Sequence, residues 1–210
     1  MIKKDKVKNI LNVLTNEYGR VGCTLVYSTP LELLIATCLA AQCTDARVNI
    51  VTKGLFVKYR DVYQFANARQ EELEEDIKAT GFYRNKAKNI IGACKKMIKD
   101  FGARVPDNMD DLLTLPGVGR KTANLILGEI FKKSAVVVDT HCMRLATRLG
   151  LTKETTATKI EYDLRDIIEE GQQLHFCHLM VAHGREVCKA KKPLCSECSI
   201  KKYCISANNT

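Results

Sequence analysis

Four cysteines near the C-terminus follow one another as Cys188-x6-Cys195-x2-Cys198-x5-Cys204. Four thiolates in so short a stretch can close around one inorganic centre. A tetrahedral zinc ion and an iron–sulfur cubane both take four thiolates, and the spacing alone does not choose between them. Upstream, Leu115-Pro116-Gly117-Val118-Gly119-Arg120-Lys121 sets a lysine just past a glycine-rich turn. A lysine amine can act as a nucleophile and form a Schiff base. It can equally stand in solvent against a phosphate. Asp139 opens Asp139-Thr140-His141-Cys142-Met143-Arg144. Its carboxylate can stabilise cationic character as a bond breaks, or cap the helix that follows.

The elements that must position these residues read as helices nearly throughout. Val7, Ile10, Leu11, Leu14 and Tyr18 recur at helical spacing, and Gly19 can end that helix. Thr29-Pro30-Leu31-Glu32 is a capping box with proline at the first helical position. The helix it starts, to about Ala41, is apolar on most faces and should be buried at the centre. Thr44 can cap the next helix. Asn67 can cap an acidic helix from Ala68 to Thr80, closed by Gly81. Ala87, Ile90, Ile91, Cys94, Met97 and Ile98 make another apolar face. Asp107 or Asn108 can cap a short helix through Leu113, and helix resumes from Lys121 to Phe131. Asp139 or Thr140 starts a helix to Leu149. Further helices cover about Ala157 to Glu170 and Gln173 to Ala182. No strand alternation persists long enough to build a sheet.

Length and composition bound the rest. A chain of 210 residues fits one or two domains, and an apolar share of 46% is enough for a core. No apolar run approaches a membrane span, and the polar start Lys3-Lys4-Asp5-Lys6 has no signal-peptide core. The expected place is the cytoplasm, in association with the nucleoid. The net charge of +9 and pI of about 9.0 suit a polyanionic partner. Six of the ten cysteines are scattered, several within helical apolar patterns, and read as small core residues or thiols. With no secretion signal, crowding of the other four favours a metal or cluster over disulfides.

Helix, glycine turn, helix around 115–123 leaves backbone amides uncovered at a helix N-terminus, an anion nest suited to a DNA phosphate. Gly117, Gly119 and Arg120 belong to it. Here the chain resembles the endonuclease III family of helix-hairpin-helix DNA glycosylases, and the resemblance runs from about Leu31 to Cys204. Lys121 matches the position of the nucleophilic lysine in bifunctional members. Such chemistry needs the free amine, which burial or nearby cations favour. Asp139 matches the catalytic aspartate. The 6-2-5 cysteine spacing resembles the family's [4Fe–4S] loop, with Lys189, Lys191 and Lys192 on a basic segment that touches DNA backbone.

The resemblance implies an all-α fold: the helix-hairpin-helix DNA glycosylase fold, two helical domains with a groove between them. One domain would be continuous over 22–134. The other would join 1–21 to 135–210 and carry the cluster loop at 188–204. It implies a monomeric enzyme acting on double-stranded DNA with damaged pyrimidines or abasic sites. Base excision would be followed by Schiff-base-mediated β-elimination, with no membrane involved. Ala41-Gln42-Cys43-Thr44-Asp45 matches the family's insertion loop, so Gln42 would enter the gap left by an extruded nucleotide. Gly81-Phe82-Tyr83-Arg84-Asn85 resembles a second insertion loop. The family commonly has an aliphatic residue where Phe82 stands, and Phe82 is a wedge or a core aromatic. Asp45 lines the base pocket or caps a helix, and the roles of His141 and Arg144 stay open.

Three rival readings remain at this level. A monofunctional, adenine-excising relative generally lacks the lysine and carries a further C-terminal domain. A DNA-binding module with a structural zinc would be colourless and would not nick abasic DNA. A redox carrier would use the cluster for electron transfer.

Overall fold

A computed structural model of the chain describes residues 3–207. Among these residues there is no β-strand. The chain divides into two compact units, one of residues 23–131 and one joining residues 1–22 to 132–210.

Helix α1 (Lys3–Tyr18) opens the discontinuous unit and buries Val7, Ile10 and Leu14. In the continuous unit, α2 (Pro30–Leu39) starts with a variant of the capping box whose return bond falls one residue before the cap. Thr29 Oγ1 accepts the Glu32 amide, and Glu32 accepts the Ser28 amide in return. Leu33, Leu34, Ile35, Ala36, Thr37 and Leu39 are all buried, so α2 is the expected central helix. Helix α3 (Asp45–Lys58) is capped by Thr44, whose Oγ1 accepts the Arg47 amide.

The acidic stretch departs from expectation. A short helix α4 (Val62–Ala66) precedes it, capped by Asp61, and Asn67 ends α4 instead of starting α5. Asn67 is spent there because its amide bonds back to Tyr63 and Phe65. Helix α5 (Gln70–Ile77) has no side-chain cap, and a 3-10 turn over Lys78–Thr80 finishes the stretch. Helix α6 (Tyr83–Asp100) then runs long and packs against α2, α4 and α5. Helices α7 (Met109–Leu113) and α8 (Arg120–Glu129) form a hairpin, and α8 packs on α2. Ala123 and Leu127 are inward as expected, while Ile130 and Phe131 are only half-buried.

Returning to the discontinuous unit, Ala135 to Val138 is a buried run outside any helix or strand. It delivers Asp139 to the start of α9 (Thr140–Arg148). Helix α10 (Ala157–Ile167) stops short of Glu170, and α11 (Gln173–Glu186) runs beyond Ala182. Helix α11 packs on α1 and α9 around Ile10, Leu14, Leu145, Phe176, Leu179 and Met180. Each large side chain in such a core is worth about 2–5 kcal/mol against truncation to alanine.

Candidate functional site

In the continuous unit the hairpin is built by local bonds. Asn108 Oδ1 accepts the Asp111 amide at 2.9 Å and caps α7. The Leu115 amide bonds Leu112 O, and the Val118 amide bonds Leu115 O, at 3.1 Å each. Leu115 and Val118 are buried and anchor the turn. Gly117 takes a φ of +79°, and a Cβ there would come within 2.9 Å of the Asn89 Cβ. Only glycine meets both demands. Gly92 on α6 lets Pro116 approach, since a Cβ at Gly92 would meet the proline ring at 3.3 Å. Gly119 has an ordinary backbone and open space around it. As the N-cap of α8 it supplies no side chain, so the first amides of α8 carry no side-chain cap. That is the arrangement an anion needs.

Lys121 stands exposed as the second residue of α8, with Arg120 half-buried before it. Electrostatically, Lys121 reaches Cys23, a half-buried thiol among those the sequence pattern marked as small core residues or thiols. Burial pushes this thiol up to about 11. A backbone bond at Leu25 opposes that, Glu129 and Asp45 add to it, and Lys121 pulls it back. The Glu129 carboxylate accepts the Cys23 amide at 3.2 Å and the Tyr27 hydroxyl at 3.5 Å. Asp45 accepts the Thr24 hydroxyl at 2.5 Å. Cys23 thus sits within electrostatic reach of Lys121, Asp45 and Glu129. No sequence periodicity foretold this, because residues 23–28 belong to no regular element.

The same unit holds a recess of about 190 Å³ whose rim includes Gln42, Phe82 and Gly117. Three residues nominated separately from sequence meet there. Gln42 and Phe82 both adopt the left-handed region, at φ of 54° and 49°. For residues with a Cβ this costs about 1–2 kcal/mol each. Phe82 is 64% exposed, so it is not a core aromatic.

In the discontinuous unit Asp139 is half-buried, and its Oδ1 accepts the Cys142 amide at 2.7 Å. Arg144 donates to Cys188 O at 2.8 and 3.0 Å and to Gly184 O at 2.9 Å. His141 Nδ1 lies 3.1 Å from Arg144 Nη2. A Cβ on Gly184 would meet His141 Nδ1 at 2.8 Å, so that glycine allows α9 and α11 to close. Arg144 therefore ties α9 to the end of α11, and His141 braces Arg144.

The four tail cysteines are half-buried and unpaired. Burial pushes Cys198 up to about 11, with Cys188, Cys204 and Cys195 each adding to the rise, so the thiols sit within reach of one another. Arg148 donates to Cys188 Sγ at 3.2 Å, and His183 Nε2 lies 3.4 Å from Cys198 Sγ. Donors aimed at sulfur suit thiolates that share an inorganic cluster. No three His, Cys, Asp or Glu side chains among the described residues form a single-ion site. Four thiolates are the donor set that a cubane cluster takes. Between the first two, Lys189, Lys191 and Lys192 are exposed. Arg148 fixes this segment through Lys189 O at 2.8 Å and Ala190 O at 3.0 Å.

Residues 35–170 match the model of the HhH-GPD superfamily base excision DNA repair proteins, and residues 188–204 match the iron–sulfur binding domain of endonuclease III. The endonuclease III of Synechocystis sp. is 50% identical, over 98% of this chain and 94% of the relative. That of Bacillus subtilis is 40% identical, over 97% and 94%. A solved non-covalent endonuclease III–DNA complex superposes with a TM-score of 0.93 at 40% identity, covering 100% of this chain and 98% of that one. A trapped covalent endonuclease III–DNA intermediate superposes with a TM-score of 0.94 at 40% identity, covering 100% and 99%.

Proposed function

This chain belongs to the endonuclease III family of helix-hairpin-helix base excision DNA repair proteins, and on that premise we propose how its residues divide the work of excising a damaged base and cutting the strand. The enzyme is a DNA N-glycosylase and abasic-site lyase carrying a [4Fe–4S] cluster. The observation that carries our assignment is Lys121, an exposed amine in the first turn of a helix whose leading amides have no side-chain cap.

The uncapped amides of α8, with Gly117 and Gly119, receive a backbone phosphate, and Arg120 adds charge. That contact brings the Lys121 amine to the anomeric carbon of the extruded nucleotide. The amine attacks this carbon as the bond to the base breaks, and the base leaves with the bonding pair and takes up a proton. The Asp139 carboxylate stabilises the positive charge on the sugar as that bond weakens. The nitrogen then passes a proton to the ring oxygen as the C–O bond of the ring breaks, and a protonated Schiff base remains. Its electron demand acidifies the proton on the adjacent carbon. Loss of that proton expels the 3′ phosphate and breaks the strand.

Gln42 and Phe82 fill the space the nucleotide leaves. Cys188, Cys195, Cys198 and Cys204 hold the cluster, which when bound ties the 188–204 segment into one shape. Lys189, Lys191 and Lys192 then meet DNA backbone with less ordering entropy to lose. We assign oxidised or ring-saturated pyrimidines as the bases removed. The enzyme acts as a monomer on chromosomal DNA in the cytoplasm. No helix of the described residues is long and apolar enough to cross a membrane.

The test is borohydride trapping on two duplexes, one with an abasic site and one with a ring-saturated thymine. A covalent adduct on both supports the full reading. An adduct on the abasic duplex alone overturns the lesion assignment and keeps the lyase. No adduct on either overturns the amine mechanism.

A further inference from the structure

Lys86 lies on the buried face of α6 and is only 6% exposed. No carboxylate among the described residues pairs with it. Its ammonium donates instead to two backbone carbonyls, Leu39 O at 2.8 Å and Thr80 O at 2.9 Å. Leu39 is the last residue of α2, and Thr80 is the last residue of the 3-10 turn after α5. Both carbonyls are helix ends with partial negative charge, where a cation is favoured. Each also stands just before a loop whose tip is a left-handed non-glycine residue, Gln42 in one and Phe82 in the other.

We propose that Lys86 is a positioning residue that couples the two insertion loops, holding Gln42 and Phe82 at a fixed separation so that they enter the DNA together. The proposal rests on the repair reading given above. Three observations carry it. The two acceptors are far apart in sequence, and the lysine is the common donor to both. Gln42, Phe82 and Lys86 line the same recess. The two strained tips need an outside restraint, because a left-handed residue persists only where its surroundings hold it.

Burial lowers the pKa of Lys86, while the Cys43 and Cys38 thiols raise it. A buried cation without a counter-charge is costly, so a simple apolar residue would serve packing better at this position. The cost is offset by fixing two chain segments with one group. The insertion loops then arrive preorganised, and less ordering entropy is lost on binding.

The experiment compares wild type with Lys86→Met, which keeps the stem and removes both donors. Borohydride trapping is run on a single-stranded abasic oligonucleotide, which needs no insertion, and on the matching duplex. Circular dichroism and the visible cluster absorbance check that the variant is folded. The expected result is a duplex rate lower by about tenfold or more, with the single-strand rate within about twofold. A cycle with Gln42→Ala and Phe82→Ala completes the test. If Lys86 acts through these two residues, its substitution adds little once both are gone. Equal losses on both substrates, or full additivity in the cycle, would overturn the proposal and leave Lys86 a purely structural cap. Unchanged duplex cleavage would overturn it as well. Should Lys86→Met fail to fold, Lys86→Arg, which keeps the charge but displaces the donors, enters the same comparisons with the same deciding outcomes. Absence of trapping by wild type on either substrate would instead count against the repair reading itself.

Discussion

The Asp139 carboxylate accepts the Cys142 amide at 2.7 Å, so the group assigned to stabilise the sugar cation is also the N-cap of α9. One oxygen is committed to the cap, and a chemical role falls to the other. The two roles separate by substitution. Asparagine caps a helix about as well as aspartate, so Asp139→Asn keeps the fold. It removes the charge, and base release slows by about 10²–10³-fold, the usual scale for losing one electrostatic stabiliser. Asp139→Ala loses the cap too, at about 0.5–2 kcal/mol of stability. Thermal melts beside single-turnover base release measure both. An Asn variant with a wild-type rate would confine Asp139 to capping.

Lys121 is exposed, and nothing in the core depends on it. Lys121→Ala therefore melts within about 0.5 kcal/mol of wild type, as surface changes do. It loses the borohydride-trapped adduct altogether. Affinity for an abasic duplex, measured by fluorescence anisotropy, falls by no more than about tenfold, or about 1.4 kcal/mol. A trapped adduct from this variant would move the nucleophile to another amine.

Two glycines two residues apart in the hairpin should respond differently. Gly117→Ala meets a left-handed backbone and the Asn89 side chain. The backbone alone costs about 1–2 kcal/mol, and the displaced turn weakens DNA binding. Gly119→Ala meets open space and an ordinary φ. It costs about 1 kcal/mol or less, the loss of a permissive N-cap. Equal destabilisation in chemical denaturation would show that the turn is not held as described.

The cluster loop is fastened by Arg148, which reaches Cys188 Sγ, Lys189 O and Ala190 O. Cys198→Ser removes one thiolate, and the visible absorbance of the cluster disappears. Arg148→Ala keeps all four thiolates and retains the absorbance, but it releases the basic segment. The salt dependence of DNA binding then becomes shallower, by about one unit of slope for each phosphate that the segment no longer neutralises. An unchanged slope would detach the segment from DNA binding.

Much of this was legible in the chain. Periodicity and caps placed most helices, because Thr29, Thr44, Asn108 and Asp139 act through bonds three residues away. The cysteine spacing and the Gly117 turn were legible for the same reason. Asn67 misled because a polar residue before an acidic run caps a helix or ends one, and the choice depended on α4, whose five residues carry little periodic signal.

The sequence by itself determined an all-helical chain, a glycine hairpin with an adjacent lysine, and four thiolates grouped for one inorganic centre. These follow from local bonding and from residue order. Only the tertiary structure decided that Phe82 is exposed, that Gln42 and Phe82 border one recess with Gly117, and that Glu129 and Lys121 both act on Cys23. It also decided the task of Lys86. A lysine on an apolar face at helical spacing with Ile90 and Met97 hints at burial, but its two acceptors are carbonyls 47 and 6 residues away. Backbone carbonyls are the same in every residue. Which of them a buried ammonium meets is therefore fixed by how the helix ends converge, and the order of side chains does not encode it.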